Sequence, residues 1–241
     1  MEKIRRLNPL LEVLVTSPRR VNKIFIQRER YQKKISEIIH LARAQEIPCS
    51  FVPKKKLDEM APGHQGVVAE LTAREFSSLE EILEAAPLPF LVLLDGVEDP
   101  QNLGAIIRTA AGAGVDGVII PERRSAPLSE AVSRVSAGAV EHCRIARVRN
   151  LARVMEELRR KGVWLVGTEG GTDNMWYEFD YTLPLALVFG SEGKGLRPLI
   201  RKKCDKLLSL PLKRGVSSLN VASAASIFIF EVLKQRKVPK K

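Results

Sequence analysis

Cysteine is scarce. Cys49, Cys143 and Cys204 are odd in number, far apart and without a Cys-x-x-Cys pair, which speaks against both a disulfide framework and a zinc site and leaves three structural thiols. Histidine offers no metal site either: His40 falls in a helical pattern, His64 in a turn and His142 near a helix end, and none stands at ligand spacing from a cysteine or carboxylate. No apolar run approaches the ~20 residues needed to cross a bilayer, and MEKIRRLNPL lacks the apolar core of a signal peptide. A soluble cytoplasmic protein with no membrane partner is therefore expected. A GxxxxGK[ST] phosphate loop is also missing. Gly112-Ala-Gly114-Val-Asp-Gly117 matches GxGxxG, but it follows a helical pattern and precedes a strand, the reverse of the dinucleotide fingerprint, and so reads as a helix C-cap and turn.

What is present is charge, and it is segregated. The chain has a formal net charge of +11. Residues 1–56 carry 14 Lys and Arg against 5 Glu, residues 193–241 carry 13 against 2, and the middle carries 12 against 21. Two basic ends around an acidic middle favour a polyanionic partner whose binding weakens with salt.

Residues 1–72 read as a small α/β unit. Asn8-Pro9 begins a helix, Lys23–Ile26 is a short strand, and Tyr31–Glu46 is an amphipathic helix with Ile35, Ile38, Ile39 and Ala42 at helical spacing. Strands at Pro48–Val52 and Val67–Leu71 follow, with a helical turn at Lys56–Met60 between them. Arg19, Arg20, Lys23 and Lys54–Lys56 fall at loops and element ends, where they suit an RNA backbone better than a core. Residues 73–89 form an acidic helix ending in Pro87 and Pro89, the expected linker.

From residue 90 to 241 strands and helices alternate. FLVLLDG, GVIIP, RIARV and WLVGT are short apolar strands of the kind a covered parallel sheet needs. Leu185–Phe189 and Lys206–Pro211 are two more, each followed by a Gly/Ser-rich turn and a helical pattern. In open α/β sheets ligands sit outside the carboxyl ends of the strands. The turns GSEGKG and KRGVSSLN are thus expected to face one crevice. Trp164 reads as a core residue, and Trp176 and Tyr177 as loop aromatics able to stack on RNA bases.

Three segments carry a resemblance. DGVEDPQNLGAIIRTA (95–110), LVFGSEGKGL (187–196) and LSLPLKRGVSSLNVASA (208–224) together resemble the three motifs of the SpoU, or TrmH-like, branch of the SPOUT superfamily. NPLLEVL and HQGVVAEL are similar to the ends of the ribosomal-protein-like RNA-binding domain that many of its members carry. The resemblance implies a parallel-sheet SPOUT domain with a C-terminal trefoil knot, preceded by that RNA-binding domain. It also implies transfer of a methyl group from S-adenosylmethionine to an RNA ribose 2′-hydroxyl, and a homodimer in which the partner chain can complete the substrate site. Structured RNA rather than DNA is the expected partner. Large-subunit ribosomal RNA is favoured, with guanosine as the base; transfer RNA, or a non-catalytic RNA-binding protein on the same fold, are the alternatives.

Carried onto this sequence, Thr168, Glu169, Gly170, Gly190, Leu210 and Leu219 stand where the family holds its cofactor, largely by main chain. No metal is implied. Arg108, Asn102, Glu192, Ser218 and Asn220 stand where it catalyses. A guanidinium keeps its proton and is a poor base, so the role implied for Arg108 is to orient the hydroxyl and stabilise its developing charge. Local structure offers plain readings beside these: an Asx-turn for Asn102, a helix-dipole carboxylate for Glu192 and helix N-caps for Ser218 and Asn220.

Overall fold

A computed structural model describes residues 2–29, 32–72 and 74–237. Tyr31, the expected start of the first-unit helix, and residues 238–241 of the basic tail lie outside the described residues. In chain order the elements are β1 (Glu2–Ile4), α1 (Leu7–Thr16), β2 (Val21–Gln27), α2 (Lys33–Ala44), β3 (Cys49–Val52), α3 (Lys54–Met60) and β4 (Val67–Leu71). Then come α4 (Leu79–Glu84), β5 (Phe90–Asp95), α5 (Pro100–Ala113), β6 (Gly117–Pro121), α6 (Glu130–Val135) and β7 (Ile145–Val148). The last are α7 (Leu151–Arg160), β8 (Trp164–Thr168), β9 (Leu185–Gly190), α8 (Pro198–Lys203), β10 (Lys206–Leu208) and α9 (Val221–Lys237).

Two compact units result, residues 1–75 with 128–142, and residues 76–127 with 143–241. The first is built on a four-stranded sheet in the order β1-β4-β2-β3, with β2 and β3 parallel and the other pairs antiparallel. Period-2 alternation in β2 sends Ile24 and Ile26 to the face covered by α1 and α2, where Leu10, Val13, Leu14, Ile35, Ile38 and Ala42 are buried with them. The opposite face is covered by α3, whose Leu57 packs with Val68 and Phe25.

The place of 128–142 differs from its sequence reading. Read as part of the stretch 90–241, it instead packs into the first unit. Glu130 pairs with Arg5 at 2.7 Å, Glu141 with Arg20 at 2.7 Å, and Glu12 with His142 at 2.6 Å. Arg20 is thereby spent on structure. Contacts between residues more than a hundred positions apart leave no periodic trace in a sequence, which explains the difference. Within the same stretch, Ala137 at φ 53° separates α6 from a 3₁₀ turn at Ala139–His142.

The second unit is a six-stranded parallel sheet in the order β10-β8-β9-β5-β6-β7. β5, β6 and β9 are buried along their whole length, as strands covered on both faces must be. On one face Leu91, Leu93, Ala186 and Val188 meet Met155 and Leu158 of α7 and Ile200 of α8. On the other, α5 packs on α9, with Thr109 hydrogen-bonded to Ser226 at 3.1 Å and Phe189 edge-on to Phe228 at 6.1 Å. Residues 76–89 belong to this unit: α4, opened by a capping box from Ser78 and Glu81, buries Leu79 and Ile82 in the sheet-side core. Apolar residues at helical spacing gave this acidic helix a face to bury, which a free linker has no use for. Gly114 at φ 72° closes α5 as a left-handed C-cap, so the GxGxxG match is a turn. Trp164 is 40% exposed, because it opens β8 and lies edge-on to Phe179 at the surface instead of entering the core.

Gln235, bonded to Tyr181 N–H and Phe179 O, and above all Arg236 hold the end of α9. Arg236 donates to the carbonyls of Tyr181 (3.1 Å), Leu88 (2.9 Å), Pro89 (3.2 Å) and Leu183 (2.8 Å), and its guanidinium stands 5.3 Å from the centre of the Phe90 ring. Arg236→Ala leaves those acceptors without their donors and is expected to cost about 2–4 kcal/mol. At roughly 2–4 °C per kcal/mol for a chain of this size, a thermal melt reads this directly. Arg236→Lys is expected to recover little, since an ammonium lacks the planar fork.

Candidate functional site

The carboxyl ends of β8, β9 and β10 and the start of α9 enclose a cavity of about 450 Å³. That volume lies within the range of small-molecule and cofactor sites. Its walls are mainly apolar, with Phe189, Leu208, Leu210, Leu219, Val221 and Phe228 among them, and its polar groups come mostly from turns. Thr168, Glu169, Gly170, Gly190, Leu210 and Leu219 all line it, as do Glu192, Ser218 and Asn220.

Three loops meet there because of how each is tied. Ser191 and Gly195 exchange backbone hydrogen bonds at 3.1 and 2.9 Å, closing the GSEGKG turn into a tight ring. Gly190 sits under that ring. A Cβ there would lie 2.1 Å from the Gly195 carbonyl carbon and 2.4 Å from the Leu196 nitrogen, so only glycine fits. The carboxylate of Glu169 is held by Arg201 Nε at 2.7 and 2.8 Å. Asp95, its side chain wholly buried at the end of β5, accepts from the Arg197 backbone N–H at 2.9 Å and from Arg197 Nε at 2.6 Å. Arg197 before α8 and Arg201 one turn further along it thus anchor the turn to the ends of both β5 and β8. Sequence reading missed this clamp, although two arginines at i and i+4 directly after a binding turn were the available signal.

Cutting one arm tests it. Asp95→Ala leaves the Arg197 backbone donor unpaired and removes the charge partner of its guanidinium, for an expected loss of about 1–3 kcal/mol. The melting temperature should fall accordingly and cofactor affinity with it, while Arg201→Ala, whose pair is half-exposed, is expected to change the melt much less.

Asn220 joins the three motifs. Its Oδ1 accepts from the backbone N–H groups of Ala222 (3.0 Å) and Ser223 (3.2 Å), capping α9. That fixes the carboxamide, so Nδ2 points the other way and donates to Asn102 Oδ1 at 2.8 Å and Glu192 Oε1 at 2.6 Å. Capping and site-building, separate readings of the sequence, are done by the two ends of one amide. Asn102 is buried on α5 and is not the turn residue: Asp99 caps that helix, accepting from Gln101 and Asn102 backbone N–H groups. No helix begins at Glu192, since α8 starts at Pro198, so the helix-dipole reading of that carboxylate falls away.

Arg108 is not brought into the walls. It stands exposed on α5, with no hydrogen bond or ion pair among the described residues, and does not line the cavity. Ser218 lines the cavity and leaves the capping to Asn220. The nearby Cys204 thiol is pushed up to about 12 by burial, with the charge of Asp205 adding to it, so it carries no thiolate for chemistry. Trp176 and Tyr177 form a short 3₁₀ turn tied to Ser209 O through the Trp176 N–H at 3.0 Å, and Tyr177 is 54% exposed.

A covered parallel sheet with a turn-built, mainly apolar cavity at its carboxyl end is an α/β architecture with room for a small organic ligand. Comparison with known proteins narrows this. The model of the SpoU rRNA methylase family matches residues 89–230, and that for RNA 2′-O ribose methyltransferase substrate binding matches residues 7–77. The 23S rRNA (guanosine-2′-O-)-methyltransferase RlmB of Pseudomonas aeruginosa is 42% identical over 240 residues, covering 98% of this chain and 97% of its own. RlmB of Shewanella oneidensis is 43% identical over 230 residues, covering 93% and 94%. The crystal structure of the SpoU methyltransferase AviRb from Streptomyces viridochromogenes in complex with AdoMet is similar at a TM-score of 0.82 and 27% identity, over 97% of this chain and 90% of that one. The chain belongs to the SpoU rRNA methylase family.

Proposed function

We propose that the chain is an S-adenosylmethionine-dependent methyltransferase acting on the ribose 2′-hydroxyl of guanosine in 23S ribosomal RNA. The observation that carries this is the Asn102–Asn220–Glu192 network at the mouth of one cavity, where all three sequence motifs meet. Two RlmB relatives above 40% identity over nearly their full lengths support the substrate. Two similar structures, AviRb and an rRNA methyltransferase from Sinorhizobium meliloti, were crystallised with AdoMet.

The residues fit that cofactor. Its adenine base is uncharged and flat, and suits apolar walls with backbone donors and acceptors at Gly190, Leu210 and Leu219 better than a phosphate cradle would. Bound, it supplies an electrophilic methyl group on a sulfonium centre. What remains for the protein is to place a hydroxyl in line and manage its proton. Asn220, locked by its capping bond, orients Glu192 and Asn102 towards the ribose. Arg108 is assigned to the hydroxyl and its developing negative charge, reaching it from outside the cavity wall.

A homodimer fits that placement of Arg108, because a partner's site can meet an exposed cation that its own cavity does not use. Ile227 and Phe230, the latter 50% exposed, leave α9 an apolar stripe for such an interface. The trefoil knot implied by the family would lie in the same region, where β10 returns to pair with β8. No helix of the described residues is long and apolar enough to cross a membrane. Incubation with tritiated S-adenosylmethionine and either protein-free 23S rRNA or bulk tRNA tests the reading. Label in 23S rRNA supports it, and label confined to tRNA overturns the substrate.

A further inference from the structure

The first unit ends its parallel strand pair in an unusual surface. β2 and β3 run side by side with Gln27 opposite Val52, so their carboxyl ends deliver Arg28 and Pro53 to one edge. The two ends are stitched together: Arg28 N–H donates to Val52 O at 2.9 Å and Arg28 Nε to Phe51 O at 3.2 Å. β3 is the outer strand of the sheet, so nothing of the sheet covers its far side. Phe51, on the same face as Ile26, is 46% exposed. Its strand neighbour Ile26, directly opposite in register, is buried. Immediately beyond, Lys54, Lys55 and Lys56 are all exposed at the start of α3. Of these lysines only Lys56 has a carboxylate within reach among the described residues, Glu59 at 4.0 Å.

A half-bare phenyl ring with Arg28 bound to its own carbonyl, at the strand end that leads into three exposed lysines, has a specific chemical complement. A phosphate backbone satisfies the cations and an unstacked base covers the ring, whereas a paired A-form duplex offers phosphates but keeps its base faces hidden. We propose that Phe51, with Arg28 and Lys54–Lys56, forms a docking surface for an unpaired nucleotide in structured RNA, the base stacking on Phe51 and the flanking phosphates meeting the cations. This rests on the RNA-methyltransferase reading and deepens it, by naming the feature of the RNA that the first unit grips.

The test uses the full chain, protein-free 23S rRNA as methyl acceptor, and two fluorescent RNA stems, one with an internal loop of unpaired adenosines and one fully paired. Phe51→Ala should weaken binding of the looped stem by roughly tenfold, raise KM for 23S rRNA in similar measure and leave kcat and S-adenosylmethionine affinity unchanged. Phe51→Trp should retain binding, and Phe51→Leu, which keeps apolar area but no ring face, should fail as alanine does. Replacing Lys54, Lys55 and Lys56 by glutamine should weaken both stems and reduce the slope of log affinity against log salt by about 2–3. Equal loss on both stems for Phe51→Ala, or wild-type behaviour of Phe51→Leu, would overturn the stacking claim. Loss of self-association in Phe51→Ala with RNA binding intact would assign the ring to a protein contact instead. A wild-type chain that discriminates the stems yet methylates no RNA refutes the proposed activity alone; unaffected variants of an active enzyme refute only this surface.

Discussion

Replacing Asn220 by aspartate should lower methyl transfer on the order of a hundredfold or more while the fold survives. The exchange is nearly isosteric and keeps an oxygen to accept from Ala222 and Ser223, so the cap on α9 persists. What it removes is the donor shared by Asn102 and Glu192. In its place a carboxylate would stand where the 2.6 Å contact to Glu192 now is. Loss of a preorganised donor in a catalytic site costs roughly 10²–10³ in rate, and the like-charge contact adds to it. Two carboxylates that close hold a proton between them, so the apparent pKa of the pair rises. A shared proton restores one hydrogen bond, and the activity of the variant relative to wild type should therefore recover as the pH falls. Asn220→Ala loses both roles and should also melt lower, by about 1 kcal/mol of lost cap. Equal turnover in wild type and Asn220→Asp would show that the network is only a cap.

Gly190→Ala should abolish measurable cofactor binding. The added methyl would sit 2.1 Å from a backbone carbon and 2.4 Å from a backbone nitrogen. Neither is the end of a flexible side chain, so the ring formed by residues 191–195 must move. That ring carries Glu192 and the cavity wall, and a displacement near 1 Å at a positioned group is worth about 10² in rate. Gly162→Ala provides the control: at φ 79° it strains the turn after α7 by about 1–2 kcal/mol, but its Cβ meets nothing within 4 Å. It should melt lower and bind S-adenosylmethionine as the wild type does. Calorimetric titration separates the two variants.

Much of this was legible in the chain. β5, β6, β8 and β9 announce themselves as short apolar runs between turns, because a strand covered on both faces has no polar side to show. The three motifs converge for a related reason: in a parallel sheet every strand ends at the same edge, so turns after different strands become neighbours however far apart they are in sequence. What the sequence could not show was set by single side chains. β1 is three residues long, too short for any period to register. The allegiance of 128–142 rests on ion pairs from Arg5, Arg20 and Glu12. The clamp of Arg197 and Arg201 depends on which way two arginines turn. Arg108 is the sharpest case, a residue that the motif marks and that does not line the cavity of its own chain.

The proposed reaction needs one cavity to hold a methyl donor against an RNA ribose. Nucleoside mass spectrometry of 23S rRNA, treated with the protein and S-adenosylmethionine and then fully digested, tests that most directly. The expected product is 2′-O-methylguanosine, present with the wild-type chain and missing with Gly190→Ala and, at equal times, nearly so with Asn220→Asp. Methylation found on a base, or 2′-O-methylguanosine formed equally by all three proteins, would contradict it.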